Sequence, residues 1–307
     1  MKTETIKKII KLGRPQFLLG GLYLYSIGIL LSILSGSNFI LDRFFIGYLI
    51  FFPAHLGLSY SNNFFDYELD QYNNQSFISG GSKILLDNLD LRRFSKWFAI
   101  VLMIISISLS IIFTLLYKLS PIFIIFVIFS NLIAWFYSAP PLRLAYRGLG
   151  EIATMVSMGI LMPGIGYWIL KGGLDNFFFL FSITLMLYGI DFIITVEIPD
   201  MEGDTIGNKR TIVVKNGRKI AFRCIFLSLI GATLYLSLMY FLGLFSPFIN
   251  IFPLVIFSFI PLLFSLFTLY KSPIEKTIAT KYAFSNMAML IVFMILANVY
   301  FVASILD

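Results

Sequence analysis

The sequence predicts an all-α protein whose nine helices cross a membrane, and three observations point to that fold class. Of the 307 residues, 59% are hydrophobic and only 13% are charged, which is not the composition of an ordinary soluble globule. Apolar stretches of roughly 20 residues recur along the chain, each long enough to cross a bilayer as a helix. Basic residues fall almost entirely on one side of these stretches.

The apolar stretches are charge-poor and follow one another along the whole chain. They cover residues 16–35, 44–63, 97–117, 120–138, 152–170, 177–198, 221–242, 250–270 and 283–304. The first is long and is followed by eight more, so we do not interpret it as a cleavable signal peptide. No linker rich in proline or serine divides the chain. Residues 1–307 are therefore predicted to form a single membrane domain.

The basic residues orient the predicted helices. With a cytoplasmic N-terminus, only Arg43, Lys118 and Lys171 of the 23 lysines and arginines lie in outer segments. The positive-inside rule then predicts a multi-pass cell-membrane protein with its N-terminus and its long loops, 64–96 and 199–220, in the cytoplasm. The C-terminus would lie on the opposite side. The net charge of +7 reflects this topology and attraction to anionic headgroups, and not nucleic-acid binding.

Two acidic clusters lie where an apolar stretch meets polar sequence, both on the predicted cytoplasmic side. Each contains D-x-x-x-D, and i, i+4 spacing places two carboxylates one turn apart on a helix face. Taken alone, either cluster is also compatible with a solvated helix end, although acids at a helix C-terminus oppose the macrodipole. Hard divalent cations favour carboxylate ligands combined with phosphate oxygens. The predicted Mg²⁺ ligands are Asn62, Asp66 and Asp70 in the first cluster and Glu197, Asp200 and Asp204 in the second.

Basic and aromatic residues near the clusters are candidates for substrate binding. They are Lys83 at the end of Ser79-Gly-Gly-Ser-Lys83, Tyr137, Arg143, Arg147 and Lys209. Glycines allow backbone N–H groups to approach an anion, and the cations can pair with phosphate oxygens. The same segments are also compatible with ordinary turns and positively charged loops.

Asp191 is a further candidate for substrate binding because it lies inside the sixth apolar stretch. An intramembrane carboxylate is costly and usually functional, although a buried acid bonded to neighbouring hydroxyls is equally compatible with this position. The single cysteine, Cys224, excludes an intramolecular disulfide and a cysteine metal site. The single histidine, His55, leaves no histidine-based zinc site or Ser-His-Asp triad.

Together the motifs resemble those of the UbiA superfamily of intramembrane prenyltransferases. The matching segments are N-x-x-x-D-x-x-x-D at 62–70, Y-S-x-P-P-L-R at 137–143, and D-x-x-x-D with G-x-K-R-T at 200–211. Segments 79–83 and 197–204 are most similar to the menaquinone-type branch, which prenylates 1,4-dihydroxy-2-naphthoate. Two residues depart from the family pattern: Asn63 stands where many members have Asp, and Val196 where Asn is common.

The resemblance implies Mg²⁺-dependent transfer of an isoprenyl group from a prenyl diphosphate to an aromatic acceptor, with Mn²⁺ able to substitute. It assigns catalysis to Asn62, Asp66, Asp70, Asp200 and Asp204. Other acceptors in the superfamily stay open: 4-hydroxybenzoate, a glycerol-phosphate lipid precursor or a chlorophyll-type acceptor. A cation transporter is the alternative from another class, but its ion site should lie near the bilayer midplane. The bilayer is the expected environment, and no obligate protein partner is evident.

Overall fold

The structure is a computed structural model that describes residues 2–73, 79 and 81–306, and within these residues it contains helices and turns but no strand. The helices are α1 (Lys2–Leu12), α2 (Pro15–Leu34), α3 (Leu41–Phe65), α4 (Ile84–Asp87), α5 (Leu89–Leu116), α6 (Ile122–Phe136), α7 (Gly150–Val156), α8 (Met162–Lys171), α9 (Asn176–Glu197), α10 (Met201–Ile206), α11 (Ile212–Phe241), α12 (Phe252–Lys271) and α13 (Lys276–Leu306). Short 3₁₀ turns cover Leu144–Arg147 and Ile198–Asp200, and a π-helical turn covers Ser157–Leu161.

The predicted all-α, multi-pass fold is confirmed. Within the described ranges, eight helical segments are long and apolar enough to cross a membrane. The predicted stretch 120–138 corresponds to α6, whose 15 residues are fewer than a full span requires. Nine is therefore an approximate count of spanning helices.

Helix ends follow local rules. Asp175 caps α9 by accepting a hydrogen bond from the Phe178 N–H at 3.0 Å, and Thr211 caps α11 in the same way. Pro15 begins α2, where its missing N–H costs nothing. These three helices therefore begin at residue types that favour a helix N-terminus.

Two prolines interrupt long helical segments. Pro163 cannot donate a backbone hydrogen bond, and the π-helical turn Ser157–Leu161 lies immediately before it in the fifth span. Pro199 ends the regular α9 at Glu197 and introduces a 3₁₀ turn before α10. The second acidic cluster therefore lies on a broken helix.

Among the described residues, three clusters of buried apolar side chains hold the bundle together, and α2 contributes to the two larger ones. One core joins α2 with α9, α11, α12 and α13. The other joins α2 with α3, α5, α6 and α8. Each half of the chain supplies one acidic cluster, and α2 packs against helices of both halves.

The amphipathic helix α1 lies at this acidic end, across the ends of α3 and α5. The Tyr60 hydroxyl of α3 donates to the Ile9 carbonyl at 2.8 Å. The Lys8 ammonium donates to Asn88 Oδ1, next to the start of α5, at 2.7 Å. These contacts keep α1 beside the first cluster.

Candidate active site

The two acidic clusters face each other through direct contact between their loops. Asn73 follows the first cluster, and its amide donates to Asp204 Oδ1 of the second at 3.4 Å. A methyl group added at Gly203 would come within 1.9 Å of Asn73 Oδ1, so the approach requires glycine there. The chain thus joins segments more than a hundred residues apart at one polar centre.

Asp66 is the most heavily bonded carboxylate of this centre. The Tyr146 hydroxyl donates to its Oδ1 at 2.8 Å and the Ser138 hydroxyl to its Oδ2 at 3.0 Å. Lys209 Nζ lies 3.3 Å from the same Oδ2. Hydrogen bonds to an ionised group are about twice as strong as neutral ones, so this network fixes the orientation of Asp66.

Lys209 lies between the two clusters. Besides its contact with Asp66, its ammonium lies 3.6 Å from Asp204 Oδ1, and 14% of the side chain is exposed. Burial disfavours the charged ammonium, but Asp66 and Asp204 outweigh this effect and hold the pKa of Lys209 well above its ordinary value. A permanent cation therefore offsets the acids at the helix ends.

Asp70 lies beneath a sharp turn. Gly81 has φ +60°, and a methyl group added there would come within 2.0 Å of Asp70 Oδ2. Burial first, and then the nearby Asp66, raise the pKa of Asp70 to about 7, while Lys209 and Arg14 oppose the rise. A carboxylate in this environment gains more than an exposed one from a bound cation.

Arg14 is a cation of the site that sequence reasoning placed only among the inner basic residues. It adopts φ +48° between α1 and α2. Burial lowers the pKa of Arg14, and attraction from Asp200 and Asp70 opposes that effect. Its guanidinium therefore lies in the field of one carboxylate from each cluster and stays charged.

The donor set fits a hard divalent cation. Asn62 Oδ1, Asn73 Oδ1 and Glu197 Oε2 are buried acceptors that receive no hydrogen bond from the described residues, and such acceptors are costly unless something binds them. No three acids in the described ranges are close enough to hold a single ion. Mg²⁺ commonly uses one or two carboxylates and keeps other positions for water and phosphate oxygens, so two facing acidic sets suit it.

The local geometry of the acidic motifs differs from the prediction. The first pair does not lie on a regular helix, because α3 ends at Phe65 and Asp66 and Asp70 lie in the turns that follow. A single i to i+4 hydrogen bond, from the Asp70 N–H to the Asp66 carbonyl at 2.9 Å, still keeps them one turn apart. In the second pair Asp200 ends a 3₁₀ turn and Asp204 lies in α10, because Pro199 interrupts α9.

The structure brings some predicted substrate-binding residues to this centre and leaves others apart. Tyr137 lies within the electrostatic influence of Glu197 and Lys209, while burial is the main cause that raises its pKa. Arg143 is exposed, with its guanidinium 5.1 Å from the Tyr146 ring centre. Arg147 is exposed and donates to the Pro141 carbonyl at 2.9 Å, which closes a loop.

Lys83 and Asp191 make no described ion pair with either cluster. Lys83 is half-buried with φ +56° and follows the turn over Asp70, and Gly80 of the same predicted anion-binding segment lies outside the described residues. Asp191 is buried in α9, where the Thr195 hydroxyl lies 3.2 Å from its Oδ1. Its surroundings match the alternative of a buried acid bonded to a neighbouring hydroxyl.

A buried arginine supports the second cluster from α11. Arg218 is 5% exposed and donates to the Ile198 carbonyl at 3.2 Å and to the Ile274 carbonyl at 3.3 Å. Its guanidinium also lies 2.7 Å from the Glu202 carboxylate. These bonds join the 3₁₀ turn, α10 and the loop between α12 and α13, and so they hold the segment that carries Asp200.

Sequence reasoning missed Asn73, Ser138, Tyr146, Arg14 and Arg218 as site or supporting residues. Two of them carried a signal. Asn73 lies three residues after Asp70 in the same polar segment, and Ser138 stands next to Tyr137. The other three are distant in sequence from the carboxylates that they support, so only the packing of the helices identifies them.

Comparison with known proteins assigns the family and the fold. The model of the "UbiA prenyltransferase family" matches residues 22–290, whereas a search of curated proteins finds no significant match. Among solved structures, a UbiA homologue from Archaeoglobus fulgidus bound to GPP and Mg²⁺ is similar, with a TM-score of 0.64 and 15% identity over 94% of this chain and 99% of that one. The same homologue bound to DMAPP and Mg²⁺ gives a TM-score of 0.60 at 13% identity, covering 95% of this chain and 99% of the other. A digeranylgeranylglyceryl phosphate synthase structure gives a TM-score of 0.64 at 19% identity, with coverages of 96% and 99%.

Proposed function

This chain belongs to the UbiA prenyltransferase family, and we propose that it transfers an isoprenyl group from a prenyl diphosphate to an aromatic acceptor. The observation that carries the proposal is the meeting of two acidic clusters at one end of an apolar bundle. Asp66 and Asp204, one from each cluster, lie within 3.6 Å of the same ammonium, that of Lys209. A prenyl diphosphate needs a polar site for its diphosphate next to an apolar site for its hydrocarbon tail.

We propose that the first cluster holds one Mg²⁺ ion and the second cluster another, with Mn²⁺ able to replace them. The ligands would come from Asn62, Asp66, Asp70, Glu197, Asp200 and Asp204. The buried acceptors Asn62 Oδ1 and Glu197 Oε2 support this assignment. When bound, Mg²⁺ neutralises charge on the diphosphate and stabilises it as a leaving group.

The chain's own residues would bind the diphosphate and protect the reacting carbon. Lys209 and Arg14 would pair with diphosphate oxygens, because both already lie among the carboxylates. The apolar helices would hold the isoprenyl chain and exclude water while the bond from C1 to oxygen breaks. A ring carbon of the acceptor would then bond to C1, and the ring would lose a proton.

We propose 1,4-dihydroxy-2-naphthoate, an intermediate of menaquinone biosynthesis, as the acceptor. The support is the similarity of segments 79–83 and 197–204 to the menaquinone-type branch. The synthase that shares the fold is only 19% identical, and that level of similarity favours no particular acceptor. The acceptor therefore needs a direct experiment.

Purified protein in lipid nanodiscs would be incubated with Mg²⁺, prenyl diphosphates of several lengths and four acceptors. The acceptors would be the naphthoate, 4-hydroxybenzoate, a glycerol-phosphate lipid precursor and a chlorophyll-type acceptor, and mass spectrometry would identify the products. We expect a prenylated naphthoate. Product with a different acceptor alone would reject the naphthoate, and no transfer to any acceptor would reject the proposed reaction.

We further propose that residues 1–307 form one membrane domain whose acidic end faces the cytoplasm. Single cysteines at Asn208 and Asn176, both exposed, would be introduced in a Cys224→Ser background. Asn208 should react with a membrane-impermeant thiol reagent from the cytoplasmic side, and Asn176 only from the opposite side. The reverse labelling pattern would show that the protein has the opposite orientation in the membrane. Asn74, a second natural position for such a probe, lies outside the described residues.

A further inference from the structure

Asn63 is the residue that departs from the family pattern in the first cluster. Both the nitrogen and the oxygen of its amide make hydrogen bonds. Its Nδ2 donates to the Ser59 carbonyl at 2.7 Å and to the Leu12 carbonyl at 3.0 Å. Its Oδ1 accepts from the Ser82 hydroxyl at 2.5 Å. Asn63 is 4% exposed; its bonds to Leu12 and Ser82 are buried, and its bond to Ser59 is partly buried.

These bonds join three segments that each end at the active site. Asn63 and Ser59 both belong to α3, so the bond between them lies within the helix that leads to Asp66, and the other two bonds link this helix to the remaining segments. Leu12 is the last residue of α1, and two residues later Arg14 lies in the field of Asp70 and Asp200. Ser82 follows Gly81, whose backbone closes over the Asp70 carboxylate.

The neighbouring Asn62 has the opposite environment. Its Oδ1 is buried and receives no hydrogen bond from the described residues, as expected of an oxygen that is kept for a ligand. Asn63 Oδ1, in contrast, already accepts the hydrogen bond from the Ser82 hydroxyl. Of the two adjacent amides, Asn62 is therefore the one available to bind a ligand, and Asn63 is the one that supports the neighbouring segments.

We propose that Asn63 is a positioning residue that sets Asp70 and Arg14 for binding of the metal and diphosphate. The proposal rests on the proposed function for the identity of the substrate and of the metal. An aspartate at this position would lack both N–H donors and would direct negative charge at the carbonyls of Ser59 and Leu12. The Leu12 carbonyl would lose the donor that links α1 to α3, and an unmet buried polar group is destabilising. The three segments would therefore be held together less tightly.

The test compares Asn63→Asp with a matched control, Asn131→Asp. Asn131 is 3% exposed, and its amide likewise donates to the carbonyl four residues earlier, that of Val127, and to a neighbouring helix, at Ser106 Oγ. It lies in α6, and none of its bonds reaches α1 or the turn over Asp70. Ser82→Ala provides a milder second variant, because it removes one bond and keeps the amide.

Three measurements would be made on each variant in nanodiscs: KM and kcat for the prenyl diphosphate, Mn²⁺ affinity by electron paramagnetic resonance without substrate, and hydrogen exchange of residues 9–14. For Asn63→Asp we expect KM to rise and Mn²⁺ affinity to fall about tenfold, which corresponds to roughly 1.4 kcal/mol, together with faster exchange. Ser82→Ala should move all three in the same direction by about threefold. Asn131→Asp should move none of them.

Unchanged KM, Mn²⁺ affinity and exchange in folded Asn63→Asp, or in Ser82→Ala if the first variant does not fold, would overturn the proposal. Equal changes in Asn131→Asp would also overturn it, because they would reflect general loosening of the bundle. Failure of the wild-type protein to use any prenyl diphosphate would reject the proposed function instead. Mn²⁺ affinity and exchange would still decide the role of Asn63 in that case.

Discussion

The two acidic clusters share the spacing D-x-x-x-D but are built on different backbones. In the first cluster, Asp66 and Asp70 lie in turns after α3 has ended. In the second, Asp204 lies within α10, and Asp200 ends the 3₁₀ turn that precedes it. A shared sequence spacing therefore does not require a shared local structure. It requires only that each carboxylate reaches the same centre.

The clusters also differ in what holds them. Side chains from other loops hold the first directly, since Tyr146 and Ser138 donate to Asp66 itself. The second has longer direct contacts, from Asn73 and Lys209 to Asp204. It is also held through its backbone and Glu202, because Arg218 bonds the Ile198 carbonyl and the Glu202 carboxylate. The comparison teaches that single hydroxyl groups should tune the first cluster, whereas the second should depend on one buried arginine.

Removal of divalent cations tests the feature that the clusters share, and it should have the largest effect. Exhaustive chelation should abolish prenyl transfer, and Mg²⁺ or Mn²⁺ should restore it, because every proposed ligand is an oxygen that suits hard ions. Product formation would be followed by mass spectrometry. Full activity after chelation would contradict an ion at either cluster.

Replacement of one acid in each cluster tests whether the two backbones serve one function. Asp66→Ala and Asp200→Ala should each lower turnover on the order of 10²-fold or more, as loss of electrostatic stabilisation at a reacting group does. Both variants should remain folded in the membrane. Asp42→Ala is a suitable control, since Asp42 begins α3 at the opposite end from Asp66. Near-normal activity in either site variant would break the two-cluster mechanism.

Arg218→Met should disturb the second cluster and the stability of the bundle. It leaves the buried Ile198 carbonyl and the more exposed Ile274 carbonyl without this donor. It also removes one of the two cations that pair with Glu202, which is 42% exposed and so contributes little through charge alone. We expect a loss of about 2–3 kcal/mol, seen as a lower Tm, with lower Mn²⁺ affinity. Arg223→Met, at an exposed position on the same helix, should change neither. Equal Tm values for the two variants would contradict a supporting role for Arg218.

Tyr146→Phe should affect the first cluster alone and have the smallest effect. The ring would remain, but Asp66 would lose the 2.8 Å hydrogen bond from the hydroxyl. Asp66 would keep its contacts with Ser138 and Lys209 but would be oriented less firmly. Turnover should therefore fall about tenfold, or roughly 1.4 kcal/mol in the barrier, while Tm changes little. Tyr270→Phe, on a side chain that is 83% exposed, should behave as wild type. A Tm loss as large as that of Arg218→Met would remove the distinction between the clusters.

The features that the sequence predicted correctly are those that depend on local physical chemistry. Hydropathy determines which segments can cross a bilayer, so the all-α, multi-pass fold followed from the apolar stretches. Asp66 and Asp70 lie one turn apart although α3 ends before them, because one i to i+4 hydrogen bond keeps this spacing. The length of α6 was harder to predict. The apolar stretch covers residues 120–138, but the helix covers only Ile122–Phe136, because hydropathy does not determine where a helix ends.

Only the tertiary structure decided which residues support the carboxylates. Lys209 follows Asp204 closely in sequence and was predicted, whereas Tyr146 is 80 residues from Asp66 and Asn63 is 51 residues from Leu12. Such partners leave no periodic trace, because a hydrogen bond depends on the final positions of two atoms and not on their separation along the chain. The amide of Asn63 is the clearest case. In the sequence, Asn63 appears only as the loss of a carboxylate that many family members have. The structure shows that its neighbours call for a side chain that both donates and accepts hydrogen bonds.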